Sequence, residues 1–256
     1  MPEADAIYPS LNNRVVFITG GATGIGASLV EHFARQGSRV AFVDIQDGPA
    51  HALCDAVAAA GHARPHYANC DIRDVLALQA RVREAAAALG PVGVLVNNAA
   101  HDERHDWRTV TPEYWEDRLQ VNLRHQFFAI QAAAPMMVEA RWGSIINFGS
   151  ISWHVGQGNM PAYTTSKAGV EGLTRSFARD LGGDRIRVNC IIPGWILTER
   201  QRTLWLTDEA REATLKAQCL KEMLGPPEIA RMALWLASDD SRMCTAQTWV
   251  VDGGWW

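Results

Sequence analysis

Arg14-Val-Val-Phe-Ile-Thr19-Gly20-Gly21-Ala22-Thr23-Gly24-Ile25-Gly26 is a β-branched apolar run that passes straight into a glycine-rich turn. Residues 14–19 predict a strand buried on both faces. Beyond the turn, Leu29, Val30 and Phe33 recur at helical spacing and predict a helix over 24–36. Strand, glycine turn and helix in that order form the setting in which such glycines carry chemistry. Gly20 allows the tight turn, Gly24 lets a pyrophosphate approach the backbone at the helix N-terminus, and Gly26 lets the helix pack close to the strand. An ordinary glycine turn is the competing reading, because Gly-x-x-x-Gly-x-Gly differs from the commoner Gly-x-Gly-x-x-Gly. The next strand, Arg39-Val-Ala-Phe-Val-Asp44, weighs against it. A lone Asp at a strand end is usually a turn cap. Paired with those glycines, a carboxylate there can accept hydrogen bonds from ribose hydroxyls and repel a 2′-phosphate. Neither Thr23 nor Ile45 is basic, so NAD is expected in preference to NADP.

Outward from this start the chain alternates strand and helix with no repeat or linker. Strands are expected near 14–19, 39–44, 65–70, 93–97, 144–149, 186–191 and 248–251, and helices near 24–36, 48–60, 74–88, 112–138, 162–181 and 227–237. That order predicts an α/β fold over 1–256 as one domain, a doubly wound parallel sheet of about seven strands. The interval from Trp195 to Leu224 breaks the alternation. Trp195, Leu197, Leu204, Trp205 and Leu206 are too apolar for a free loop, so this stretch reads as a helical lid over the C-terminal strand edge.

Composition narrows the class. The chain has 256 residues, 48% hydrophobic and 20% charged, with a formal net charge of −4. No basic surface is implied, so nucleic acid is not an expected partner. No apolar stretch is long enough to span a bilayer, and Met1-Pro-Glu-Ala-Asp5 lacks the features of a signal peptide. The scattered Cys54, Cys70, Cys190, Cys219 and Cys244 fit reduced thiols, hence a cytoplasmic location.

Tyr163-Thr-Thr-Ser-Lys167, with Ser150 upstream, carries the candidate chemistry. A tyrosine and a lysine four positions apart share one helix face. A phenol of pKa about 10 is a poor base at neutral pH. An ammonium about 4 Å away, at an effective dielectric near 20, would favour the phenolate by about 4 kcal/mol, close to three pKa units. That would bring the phenol into the range of a general base.

Thr19-Gly-Gly-Ala-Thr-Gly-Ile-Gly26, Asp71, Asn97-Asn-Ala-Ala100, Asn122, Ser150, Tyr163, Lys167 and Pro193-Gly194 together resemble the short-chain dehydrogenase/reductase family, in order and spacing, over essentially the whole chain. The resemblance implies a Rossmann fold and a role for each matching position. Tyr163 is the general base in oxidation, Lys167 lowers its pKa and binds the nicotinamide ribose, Ser150 orients the reacting oxygen, and Asn122 holds a water that links Lys167 to solvent. Gly20, Thr23, Gly24, Ile25 and Gly26 form the phosphate turn, and Asp44 takes the ribose. Asp71 and Ile72 meet the adenine, while Asn98 and Ala99 border the adenosine ribose. Pro193 and Gly194 also belong to the cofactor site, with Ile196 and Thr198 on the carboxamide. Ala100 departs from the usual Gly, a change expected to leave cofactor binding intact. Family members are commonly homotetramers built through the long helices near Asn122 and Tyr163.

Within the family, Ile7-Tyr-Pro-Ser-Leu11, Asp102-Glu-Arg-His105, Asn122-Leu-Arg-His125, Asn147-Phe-Gly-Ser-Ile-Ser-Trp-His154 and Ala217-Gln-Cys-Leu-Lys221 are similar to the bacterial aldose 1-dehydrogenase branch, of the D-xylose type. The resemblance implies a sugar oxidised at C1, or a secondary alcohol on a sugar acid or 2-keto-3-deoxy sugar acid. A non-catalytic NAD-binding scaffold is the alternative of another class, and it has no need of all four residues Ser150, Tyr163, Lys167 and Asn122. The expected substrate wall is His101, Asp102, Arg104, Ser150, Trp153, His154, Asn159, Tyr163, Trp195 and Arg200. His101 and His105 have metal-ligand types but no third ligand nearby, so no metal is expected. Trp235, Trp249, Trp255 and Trp256 are expected at a core or subunit interface.

Overall fold

The computed structural model describes residues 6–256, so the signal-peptide expectation for Met1–Asp5 lies outside the described residues. Seven parallel strands form one sheet in the order β3-β2-β1-β4-β5-β6-β7. In chain order they are β1 (Val15–Thr19), β2 (Arg39–Asp44), β3 (His66–Asn69), β4 (Val94–Asn97), β5 (Gly143–Phe148), β6 (Ile186–Pro193) and β7 (Thr248–Val251). The helices are α1 (Gly24–Arg35), α2 (Asp47–Ala59), α3 (Val75–Leu89), α4 (Pro112–Leu119), α5 (His125–Ala140), α6 (Pro161–Leu181), α7 (Glu199–Leu204), α8 (Asp208–Ala217) and α9 (Pro226–Ala237). Every residue of β1 is buried, because side chains leave the strand alternately toward two cores. Val16 and Ile18 join α1 and α9 on one side. Val15 and Phe17 join α3 and α5 on the other. An uninterrupted apolar strand is what this two-sided covering demands.

The order reverses between β1 and β4, so a crevice opens at their C-terminal ends. Thr19 stands opposite Asn97, and Asn97 opposite Asn147, in register. The next residues along each strand therefore reach one sheet edge: the glycine turn after β1, Asn98 after β4 and Ser150 after β5. Buried polar groups brace that edge. Asn97 Nδ2 donates to Asn147 Oδ1 (2.9 Å) and Asn147 Nδ2 to Thr174 Oγ1 on α6 (3.0 Å).

The expected helix over 112–138 is three pieces. A π-helical turn at Gln120–Arg124 separates α4 from α5 and points Asn122 fully into the interior. Hydrophobic spacing cannot reveal one inserted residue, and π turns of this kind concentrate at functional sites. The interval after β6 forms α7 and α8, and the excursion is closed at its base where Leu197 N–H donates to Leu224 O (2.8 Å). Among the described residues no helix is long and apolar enough to cross a membrane.

Two glycines test how tightly α1 is seated. A Cβ on Gly26 would lie 1.8 Å from the Gly20 carbonyl oxygen, whereas a Cβ on Gly172 of α6 meets nothing within 4 Å. Gly26→Ala is expected to cost about 3 kcal/mol or more, read as loss of cooperative folding or a sharply lower Tm. Gly172→Ala should stabilise by about 1 kcal/mol through helix propensity. Equal melting of the two variants would contradict the packing described.

Candidate active site

The glycine turn is shaped as its sequence implies. Gly20 and Gly24 adopt φ of +69° and +57°, where only glycine is unstrained. A Cβ on Gly24 would also lie 3.0 Å from Thr198 Cγ2. Thr23 makes no side-chain cap on α1, so the helix presents backbone N–H groups at its N-terminus, a fit for a pyrophosphate. Asn98 Nδ2 donates to Thr19 O (3.1 Å) and Gly20 O (2.8 Å), and Ala99 N–H donates to Thr19 Oγ1 (3.1 Å), which locks β4 to the turn. Asp44 lies beside the turn, its Oδ2 accepting Ala22 N–H (3.0 Å) and its Oδ1 Gln46 N–H (3.1 Å). Two of its four lone-pair sites remain, enough for a ribose diol. These residues fit a dinucleotide. Asp71 differs from expectation: its carboxylate is bound by Arg73, with Nη2 to Oδ2 at 2.5 Å, which leaves the neighbouring half-buried backbone and Ile72 for an adenine. Ala100 is exposed and does not need a positive φ, so its methyl group is accommodated.

Farther along the edge, a cavity of about 660 Å³ is lined by Ser150, Tyr163 and Lys167 with Asn98, Pro193, Gly194, Ile196 and Thr198. That size lies within the range of small-molecule sites. Ser150 Oγ accepts Ser152 N–H (3.2 Å) and donates to Ser152 Oγ (2.9 Å), which orients the hydroxyl. Lys167 is fully buried, and its Nζ donates to Phe148 O (2.8 Å) and lies 5.7 Å from the Tyr163 ring centre. With no ion-pair partner among the described residues, burial pushes its pKa from 10.5 down to about 8. Tyr163 corrects the sequence expectation. Burial raises its pKa above the ordinary 10, the Asp102 charge adds to the rise, and the Ser150 hydrogen bond opposes it. Burial is the largest influence on the phenol, and the Lys167 ammonium is not among those influences.

Asn122 is held by the chain around it. Its Oδ1 accepts His101 N–H (2.8 Å), and its Nδ2 donates to His101 O (3.2 Å) and Arg118 O (3.0 Å). Both Nδ2 hydrogens are thus taken, while Oδ1 and the backbone carbonyl, which accepts from Gln126 Nε2 (3.3 Å), each keep one acceptor site. Beside Lys167, the wholly buried His125 has its pKa held down near 3 by burial and the lysine charge, so it stays neutral. His105 is a helix cap: its Nε2 accepts Ala162 N–H (3.3 Å) at the start of the helix that carries Tyr163. His101 lies between Arg118 and Arg200, which with burial lower its pKa.

The expected substrate wall divides. Asp102, Arg104, Ser150, Tyr163 and Trp195 line the cavity, joined by Ser152, Gln157, Gln201, Trp205 and Trp255. Trp153 and His154 do not, because Trp153 Nε1 and His154 Nε2 both bond Glu171 Oε1 (2.8 Å each). Asn159 is turned into the backbone, with φ of +63° and its carbonyl accepting His105 N–H (2.7 Å). His101 and Arg200 form an outer rim, with Arg200 Nε 3.3 Å from Asp102 Oδ1. The missed residues come from the segment after β5, from the interval between Trp195 and Leu224, and from the C-terminus, where no motif marks them. Gln201 Nε2 donates to Asp102 Oδ2 (2.7 Å), and Arg104 lies 4.5 Å over the Trp205 ring, so the lid is tied to the loop after β4.

A short-chain alcohol dehydrogenase profile, described as "Enoyl-(Acyl carrier protein) reductase", matches residues 20–256. The chain belongs to the short-chain dehydrogenase/reductase family. It is 52% identical to a protein of Rhizobium meliloti (strain 1021) named "Probable galactose dehydrogenase GalD", over 96% of each chain. It is 47% identical to the D-xylose 1-dehydrogenase of Caulobacter vibrioides, over 98% of this chain and 99% of that one. The crystal structure of 3-oxoacyl-[acyl-carrier protein] reductase from Brucella melitensis superposes with a TM-score of 0.91 at 30% identity, covering 99% of this chain and 97% of that one. The chain is therefore an oxidoreductase acting on CH–OH groups, of a family that uses a nicotinamide cofactor.

The lysine gives a pH signature. An unfolded chain carries Lys167 with its ordinary pKa of 10.5, while the folded chain releases that proton near 8. Between those values the unfolded state binds more protons, so folding stability contributed by this group rises with pH, and below about 8 the buried charge is a cost. Lys167→Met should melt higher than the unmodified protein at neutral pH, by several degrees, with the gap narrowing as pH passes 8. A lower melting point for the variant at every pH would show that the ammonium is compensated.

Proposed function

We propose that this enzyme is an NAD-dependent sugar dehydrogenase that oxidises C1 of an aldose to the lactone. The observation that carries the proposal is the convergence of Ser150, Tyr163 and Lys167 on one cavity with a polar wall of Asp102, Arg104, Ser152 and Gln157. A long acyl chain or a steroid needs an aliphatic wall, whereas sugar hydroxyls need paired donors and acceptors. The two sugar-dehydrogenase relatives, similar over nearly their whole length, support the same substrate class.

In the complex Ser150 would turn its one hydroxyl proton from Ser152 Oγ to the reacting oxygen, and Tyr163 would take the anomeric hydroxyl proton, so the C–O bond gains its second bond as hydride departs from C1. Bound NAD would supply the hydride acceptor. Burial holds the proton on the Tyr163 phenol, which a positive charge nearby would oppose. Lys167, anchored on Phe148 O, adds a second positive charge on the same side and would hold the nicotinamide ribose. Asp44, the Gly24–Gly26 turn and the α1 N-terminus would hold the adenosine and pyrophosphate. With Asp44 beside the turn and no basic neighbour, a 2′-phosphate is disfavoured. Arg104 favours a second reading, oxidation of a secondary alcohol on a sugar acid, since its guanidinium could pair with a carboxylate.

NADH formation over a panel of pentoses, hexoses, 6-deoxyhexoses and their acids tests these readings together. Turnover on free aldoses, with NAD much preferred to NADP and lactone as product, is expected. Turnover on acids alone favours the second reading. Tyr163→Phe should lower kcat by about a thousandfold or more, with NAD binding retained. Near-normal turnover in that variant would contradict the mechanism.

A further inference from the structure

Trp255 of Asp252-Gly253-Gly254-Trp255-Trp256 lines the cavity, although the sequence pointed these aromatics at a core or subunit interface. The tail is built into place. Asp252, buried, accepts Gly254 N–H (2.8 Å), Trp255 N–H (3.1 Å) and Trp256 N–H (2.8 Å) on its carboxylate. Gly253 and Gly254 turn through φ of +71° and +79°. Their carbonyls accept Leu220 N–H (2.8 Å) and Cys219 N–H (3.1 Å), which joins the tail to the segment leaving α8. Trp256 stacks on His154 with ring centres 3.6 Å apart, and His154 is fixed in turn by Glu171.

Three tryptophans line the cavity, and two have committed rings. Trp195 Nε1 donates to Gln201 Oε1 (2.7 Å), and the Trp205 face takes the Arg104 guanidinium. Trp255 packs against the small core of Ile151, Val170, Cys190 and Ile192, yet its indole makes no ring-stacking or hydrogen bond among the described residues. A sugar presents hydroxyls at its rim and C–H groups on a face. Asp102, Arg104, Ser152 and Gln157 suit the rim, and an uncommitted indole suits the face.

We infer that Trp255 is a substrate-binding residue that takes the C–H face of the sugar ring, and that Asp252 and the Trp256–His154 stack are positioning groups for it. The inference rests on the sugar reading given above. It also gives the Trp153–His154 pair, which misses the cavity, a purpose one step removed: the pair supports the tail.

Steady-state kinetics on Trp255→Leu and Trp255→Phe tests this, using the best aldose of the panel and NAD binding as the control. Losing the ring face should raise KM by about tenfold in Trp255→Leu, with the NAD dissociation constant unchanged and Trp255→Phe intermediate. His154→Ala should raise the same KM by a smaller factor. A sugar KM within twofold of normal in Trp255→Leu overturns the inference, and so does an equal loss of NAD affinity, which would make the tail a cofactor wall. If Trp255→Leu does not fold, Trp255→Phe decides in the same way, with a KM raised about threefold or unchanged. Failure of the sugar reading looks different: the unmodified enzyme then turns over no sugar at all.

Discussion

Helix α1 stands as close to strand β1 as two backbones allow, and the rest of the site hangs from that contact. Gly26 faces the Gly20 carbonyl at a distance that leaves no room for a methyl group. The approach aims the uncapped N-terminus of α1 at the crevice beside β4. Asn98 and Ala99 then fasten β4 to the same turn through Thr19 and Gly20. Strand register carries the alignment on to β5, and the Asn97–Asn147–Thr174 chain carries it to α6. Ser150 comes from the end of β5 and Tyr163 and Lys167 from α6, and they meet because each element is indexed to the one before.

The chemistry depends on burial working against charge. Lys167 is an ammonium in the interior with a carbonyl for company, and its neighbour His125 is held neutral. Burial pushes the Tyr163 phenol up, away from its anionic form. Low dielectric also strengthens whatever charge arrives, so the same burial that opposes the phenolate amplifies its stabilisation in the complex.

The sheet, its strand positions and the glycine turn were legible because buried strands and close backbone approaches leave few residue choices. Val15–Thr19 could serve only where both faces are covered, and Gly24 and Gly26 only where a side chain would collide. That Ser150, Tyr163 and Lys167 share one cavity was legible from spacing on one helix and one strand end. Other features were hidden for identifiable reasons. The π turn at Gln120–Arg124 leaves no mark on hydrophobic periodicity, since it adds a residue without changing the apolar face. Trp153 and His154 read as pocket residues because aromatic and polar types near Ser150 suggest a sugar, but the acceptor that captures them, Glu171, comes from α6. His105, a metal-ligand type at which no metal was expected, is a cap, a role set by where the chain returns in three dimensions. Trp255 joins the cavity through turns at Gly253 and Gly254 whose direction no local pattern predicts.

C1 of an aldose as the hydride donor is the claim most open to direct trial. An aldose carrying deuterium at C1 alone, oxidised with NAD, would be followed by mass spectrometry of both products. Oxidation at C1 predicts that the deuterium is recovered in the reduced nicotinamide and absent from the lactone, with a primary isotope effect where hydride transfer limits the rate. Deuterium retained in the sugar product, with unlabelled NADH, would contradict C1 oxidation and move the reaction to another carbon.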